Sequence, residues 1–439
     1  MNNITKITLS MVAVSSLVLG ATSEELEAQL KALQTEFSNF KKEQTATNEA
    51  LVEEVAGVDN EESETSSTSM IGSKYESVSD LGLAASKVYH SNSTVSIGGY
   101  GEYTFRKYSD YKNNANTATN ATLNKATTNV ARFVPYFGFK FNDWIVMNTE
   151  IEFEDGGARS DDTKNYKYAI VEFSYLDFLF DEKYNLRVGH VLVPFGNINL
   201  NHEPTSFLTA QRPLVESYII PSTWHTNGAL VYGKKDKWNY YAGVVTSPDA
   251  SNFTEGRYMQ QGRLGAKQYT DDLTYVARVG YNVMPGLDVG GSFSYGESSN
   301  VGDVTMTMGE VHATYKNNGF DIQALAVAGQ LGGDYQNVNT ETLSKEVDGQ
   351  YLTVGYDVLN TVKTSQKLFA VAEIERLNMD ASDETAIMDN NKFFEYTAGI
   401  AYYPDPKVVV KAEYNLKDYN KLSSLADEEA IQATLGFIF

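Results

Sequence analysis

The sequence predicts an all-β transmembrane barrel of about sixteen antiparallel strands, preceded by a short α-helical coiled coil. Three observations predict it. From residue 94 to residue 439, apolar and polar residues alternate in segments of about ten, each followed by a turn or loop. Residues suited to strands are abundant, with 29 Tyr and 21 Phe against 9 Pro. The connections between segments alternate between short and long.

Composition narrows the class further. The 439 residues are 42% hydrophobic, yet no run of about eighteen apolar residues is uninterrupted, which excludes a bundle of membrane helices. The absence of cysteine excludes disulfides, thiol catalysis and Cys-ligated metals. A formal net charge of −22 repels phosphate backbones, so nucleic acid is not an expected partner.

Residues 1–23 read as a signal peptide. Lys6 supplies the positive start, ITLSMVAVSSLVL the apolar stretch, and Gly20, Ala21 and Ser23 the small residues near a cleavage point. Cleavage after Ala21 and after Ser23 both stay open, and an uncleaved anchor is the alternative. Export places the mature chain, by expectation, in the outer membrane of a Gram-negative cell.

Residues 24–56 carry Leu26, Leu30, Leu33, Phe37 and Phe40 at alternating spacings of four and three. This is a heptad seam, continued through Gln44, Thr47 and Leu51 with two polar layers. A narrow seam is best buried in a symmetric oligomer; a lone amphipathic helix on another surface is the alternative. Residues 57–93, containing GVDNEESETSSTSMIGS, have the composition of a flexible acidic linker.

The barrel strands are expected at 94–108, 129–141, 144–155, 166–180, 185–196, 226–234, 238–247, 272–283, 287–296, 305–316, 320–329, 348–359, 367–377, 392–404, 407–417 and 428–439. VSIGGYGEYTF shows the two faces: Val95, Ile97, Gly99, Gly101, Tyr103 and Phe105 oppose Ser96, Gly98, Tyr100, Glu102 and Thr104. Tight turns such as Asn317–Gly319 mark one rim. Longer polar loops at 109–128, 197–225, 248–271, 330–347 and 378–391 mark the other. A bilayer offers no water to unpaired backbone amides, so the last strand, IQATLGFIF, must pair with the first. Its terminal Phe439 resembles the signature by which barrel-assembly machinery recognises its clients. The alternative is a soluble β-sandwich, whose core could not hold so many apolar faces.

With the apolar faces on outer-membrane lipid, the other faces line a lumen. The expected wall includes Arg106, Arg132, Lys140, Glu150, Glu152, Glu154, Glu172, Arg187 and Arg278. Over the full inward set, which adds Glu102, Asp288, Glu310, Asp321, Glu373, Glu375, Glu395, Glu413 and Lys411, carboxylates outnumber bases about two to one, which favours a weak preference for cations. The stretch PFGNINLNHEPTSFLTAQRPLVESYIIPSTWHTNG is too apolar for an ordinary surface loop. It suits a constriction folded into the barrel, with His202, Glu203, Arg212 and Glu216 as its charged residues; packing over the rim or against another subunit is the alternative.

No cofactor or enzymatic activity is expected. The stretch HEPTS departs from HExxH, so His202-Glu203 followed by His225 is a poor metal signal, and no G-x-S-x-G, P-loop or dinucleotide motif occurs.

The run LRVGHVLVPFGNIN followed by HEP, RP, VE and IIPSTW resembles bacterial outer-membrane porins of the phosphate-selective O/P type and their uncharacterised relatives. That resemblance implies a porin barrel, a trimer and a channel for small solutes or ions. A ladder of basic residues for phosphate is not matched, because the inward bases are scattered and outnumbered by Glu. The expected function is passive diffusion of small hydrophilic solutes; the alternatives are a channel specific for phosphate, another anion or a sugar, and a barrel-anchored link between outer membrane and peptidoglycan.

Overall fold

The computed structural model describes residue 35 and residues 80–113, 120–121, 123–157, 169–263, 267, 270–298, 303–382, 391–419 and 423–439. The signal peptide and the seam Leu26, Leu30, Leu33, Phe37 and Phe40 lie outside the described residues.

Sixteen strands close into one antiparallel barrel. They are β1 (Val95–Tyr108), β2 (Thr127–Lys140), β3 (Ile145–Glu154), β4 (Ala169–Leu179), β5 (Asn185–Leu192), β6 (His225–Lys235), β7 (Trp238–Thr246) and β8 (Leu273–Met284), followed by β9 (Leu287–Ser298), β10 (Val304–Asn317), β11 (Phe320–Gly333), β12 (Glu346–Asp357), β13 (Lys367–Asn378), β14 (Lys392–Asp405), β15 (Val408–Tyr419) and β16 (Glu428–Ile438). Each strand pairs with its neighbours in sequence, and β1 closes on β16 with Tyr100 opposite Ile438. Phe439 itself exchanges backbone hydrogen bonds with Gly99. The largest shortfall against expectation is β5, which stops at Leu192, two residues before Pro194. A proline has no N–H to give to a ladder.

Alternation sorts the side chains. Ile97, Phe133, Phe137, Val279, Phe293, Ile400 and Leu435 are exposed on the outer face. Aromatics cluster outside the short turns, with ring centroids 4.5 Å apart for Trp238 and Tyr281, 4.9 Å for Phe320 and Tyr356, and 6.0 Å for Trp144 and Phe180. The inner face is polar, holding Glu102, Glu152, Glu310, Glu373 and Lys411 among its buried residues.

Bulges break the alternation where it matters. Glu150 pairs with Phe173 and Ile151 with Val171, which leaves Glu172 as the extra residue of β4. Both Glu172 and Phe173 are buried, and the face of the strand flips beyond them. Asp177, which strict alternation from Glu172 would put outside, therefore lies inside, fully buried.

Residues 80–93, grouped with the linker in the sequence, are packed. They contain the short helix α1 (Lys87–His90), and Leu81, Ala84, Ala85, Val88 and Tyr89 are buried. Val88 lies where a Cβ on inward Gly138 would be, so this segment occupies the barrel interior against β1–β3.

Candidate functional site: the barrel interior

The interior is organised by the segment 193–224 between β5 and β6. Pro194 ends β5, and Gly196, at φ +71°, turns the chain inward, where a Cβ would meet Glu216 Oε2. Asn199 ties the neck: its Nδ2 donates to the carbonyls of Val193 (2.6 Å) and Trp224 (2.8 Å), and its Oδ1 accepts from Trp224 N–H at 2.6 Å. Phe195, Ile198, Leu200, Leu214, Val215, Ile219 and Trp224 are buried, giving the segment a core of its own.

Side chains of the far wall hold it. Glu375 on β13 accepts from the N–H groups of Leu214 and Val215, both at 2.9 Å, at the start of the short helix α2 (Leu214–Tyr218). Glu413 on β15 accepts from Ala210 N–H at 2.6 Å. Lys411 donates to Thr209 O at 2.8 Å, and Thr434 on β16 donates to Ala210 O at 2.9 Å. Glu216 is buried between Ile198 N–H (2.8 Å) and the Tyr351 hydroxyl on β12 (2.6 Å). Burial raises its carboxyl to about 7, against the opposing pull of those two donors. The segment thus spans the lumen from β5 and β6 to the opposite wall.

Glu203 joins this segment to the N-terminal one. Its carboxylate accepts from Ala84 N–H (2.9 Å) and Ala85 N–H (2.9 Å). Burial pushes its carboxyl up, and these amide donors work the other way. A Cβ on Gly82 would lie 2.3 Å from Glu203 Cδ, so any larger residue there must displace that carboxylate.

The candidate residues occupy separate places. Glu203 faces the N-terminal segment, Glu216 faces β12, and His202 faces Glu150 and Glu172 at 3.4 Å and 3.9 Å. Arg212 donates from Nη2 to His202 O at 3.2 Å. Among the wall residues, Arg132 lies 3.0 Å from Glu102 and 3.6 Å from Glu152 and pairs across the strands with Glu154. Lys140 donates to Ser91 O. Arg278 donates to Gly196 O at 2.5 Å. The sequence expects these groups on a wetted wall; instead Glu150, Glu152, Glu172 and Arg187 are buried, because the two inward segments cover them.

A cavity of about 300 Å³ stays open at the long-loop end, lined by Arg106, Arg257, Lys417, Glu395, Glu428 and several tyrosines. Three features of the interior are not legible along the chain. Asp177 was hidden by the bulge. The contact of His190 with His225, whose ring nitrogens lie 2.8 Å apart, and the inward packing of 80–93 left no pattern in the residues themselves.

A closed sixteen-strand barrel with its long fifth connection folded inside defines a porin-type barrel. The chain shares that fold with the outer membrane channel DcaP of Acinetobacter baumannii (12% identity, 79% of this chain and 97% of that one, TM-score 0.51). It shares it also with Salmonella typhi OmpF, solved in complex with daunomycin (9% identity, 79% and 97%, TM-score 0.52). The chain belongs to the same family as an uncharacterized protein of Aquifex aeolicus (strain VF5), 30% identical over 395 residues that cover 83% of this chain and 84% of that one. No family model matches the sequence.

Proposed function

We propose that the chain is an outer-membrane channel for passive diffusion of small hydrophilic solutes and ions, narrowed by residues 193–224 and 80–91. The observation that carries this reading is the segment 193–224, held across the lumen by Glu375, Glu413, Lys411 and Tyr351 of the opposite wall. The exposed apolar outer face and the aromatic cluster at the short-turn rim support a barrel set in lipid. In this reading His202, Glu203, Arg212 and Glu216 belong to the constriction. The acidic excess of the inner wall supports a weak cation preference, while Arg106, Arg257 and Lys417 oppose it in the outer cavity. Assembly as a homotrimer, and recognition of Phe439 by barrel-assembly machinery, belong to the same proposal.

The test is single-channel current of the purified protein in a planar bilayer, with a salt gradient to read the reversal potential. Discrete conductance with a cation-signed potential supports the reading. An anion-signed potential points instead to a channel specific for phosphate or another anion. Absence of current under all voltages overturns the channel and leaves the barrel as an anchor.

A further inference from the structure

Three buried side chains from distant parts of the sequence converge in the interior: Glu150 of β3, Glu172 at the β4 bulge, and His202 of the inward segment. Each offers a donor atom, and these atoms lie within 4.8 Å of one another. Glu150 and Glu172 have no exposed surface, and His202 is 2% exposed.

The imidazole is oriented by its other nitrogen. His202 Nδ1 lies 3.1 Å from the carbonyl oxygen of Asn199, which can only accept. Nδ1 therefore carries a proton, and Nε2 faces Glu150 Oε1 at 3.4 Å and Glu172 Oε2 at 3.9 Å. Nε2 meets two carboxylates favourably only with a positive species, a proton or a metal ion, between them. Metal-bound histidines are commonly held this way, by a carbonyl behind the ring.

The carboxylates are under-satisfied as well. Glu172 Oε1 accepts from the Thr223 hydroxyl, while Glu150 Oε2 and Glu172 Oε2 are buried with no donor from any other residue, the two carboxyls lying within hydrogen-bond reach of each other. The hydroxyls of Tyr100 and Tyr136 are also unpartnered, and the Tyr100 ring stands 6.1 Å from the His202 ring. Among the described residues, His202 is the only basic side chain within 4.0 Å of either carboxylate. The neighbouring cations are directed elsewhere: Arg132 to Glu102 and Glu152, Arg212 to the His202 carbonyl, and Arg263 to Thr223 O at 3.0 Å.

We propose that Glu150, Glu172 and His202 bind one divalent first-row transition-metal cation, of the Zn²⁺ class, through one carboxylate oxygen of each glutamate and Nε2. Donors about 2.0–2.1 Å from a tetrahedral ion stand roughly 3.3–3.4 Å apart. The 3.4 Å contact already has that spacing, the 3.9 Å contact needs a closure of about half an ångström, and the whole donor set lies within 4.8 Å. One imidazole with two carboxylates favours such an ion over the hard Mg²⁺ and Ca²⁺, and the lack of thiolates disfavours Cu(I). Bound there, the ion joins the inward segment to β3 and β4 and neutralises the two buried carboxylates. This site stands whether or not the barrel conducts.

The test uses the full chain, folded in detergent and stripped with chelator, titrated calorimetrically with Zn²⁺ and with Mg²⁺ as a control. X-ray absorption of the loaded protein reads the ligands. The expected result is about one Zn²⁺ per chain, with a single imidazole among oxygen donors. Glu150→Gln, Glu172→Gln and His202→Ala should each weaken binding by about tenfold or more. The double variant His190→Ala/His225→Ala should leave it unchanged. Retention of the compact barrel band on unheated gels shows which variants have folded. Failure of the unmodified protein to bind Zn²⁺ overturns the proposal and leaves a shared proton between these groups. A two-imidazole signature lost in the His190/His225 double variant overturns it in favour of that pair.

Discussion

Arg187 and Asp177 face each other inside the barrel in a two-pronged ion pair, with Nε and Nη2 each 2.9 Å from a carboxylate oxygen. The guanidinium lies 4.1 Å from the Tyr175 ring centroid and 5.0 Å from that of Tyr232. Asp177 also accepts from the hydroxyls of Tyr89 and Tyr232, so the pair reaches into the N-terminal segment. Removing one partner of such a buried pair leaves an uncompensated charge, at a cost of about 3–5 kcal/mol. Arg187→Met should therefore lower the denaturation midpoint of the folded barrel in detergent. The double variant Arg187→Met/Asp177→Leu should lose less than the single one. A double variant as unstable as the single one would show that the pair is favourable in its own right.

Glu203 should control the N-terminal segment. Glu203→Ala removes the acceptor for Ala84 and Ala85, and hydrogen bonds to a charged group are each worth about 1.5–3 kcal/mol. The expected outcome is faster proteolysis within residues 80–91 and a larger single-channel conductance. Gly82→Ala should act in the same direction, since its methyl would clash with the same carboxylate. Unchanged proteolysis in both variants would mean that apolar packing alone holds the segment.

The clamp at Glu375 gives a second handle on the lumen. Glu375→Ala strips acceptors from the Leu214 and Val215 N–H groups while leaving the barrel ladder intact. Greater conductance and a noisier open level should follow, with the barrel's heat-modifiability on gels retained. An identical current trace would place the solute path away from α2.

Stability should fall as pH rises because of Glu216. Its folded form holds the proton more tightly than the unfolded chain, with the carboxyl raised from 4.5 to about 7. The stabilising contribution is complete below pH 4.5 and is lost as pH rises through about 7. Denaturation midpoints measured across that range should decline, and Glu216→Gln should flatten the decline. A slope that is the same in the variant would assign the effect to other groups.

Arg106 lines the outer cavity and donates to Gln432 at 2.7 Å and 2.9 Å. Arg106→Glu reverses a charge on the solute path, so the reversal potential should shift toward cations. The shift should be larger at low salt, where screening is weak.

Much of this architecture was legible in the residues, because strand side chains alternate strictly and a lipid-facing barrel must keep one apolar face on every strand. That periodicity placed sixteen strands and put Glu102, Arg132, Glu152 and Lys411 inside without any three-dimensional information. A bulge is a single unpaired residue with no signature of its own, so only the pairing of β3 with β4 decided that Glu172 and Asp177 both face inward. The apolar run between β5 and β6 announced that it must be buried; where it is buried depended on Glu375, Glu413 and Tyr351, which lie about 130–200 residues away in the chain. The meeting of Glu150, Glu172 and His202 is of the same kind. Composition and spacing are properties of neighbours along the chain, whereas a hydrogen-bonded interior is made by residues that only barrel closure brings together.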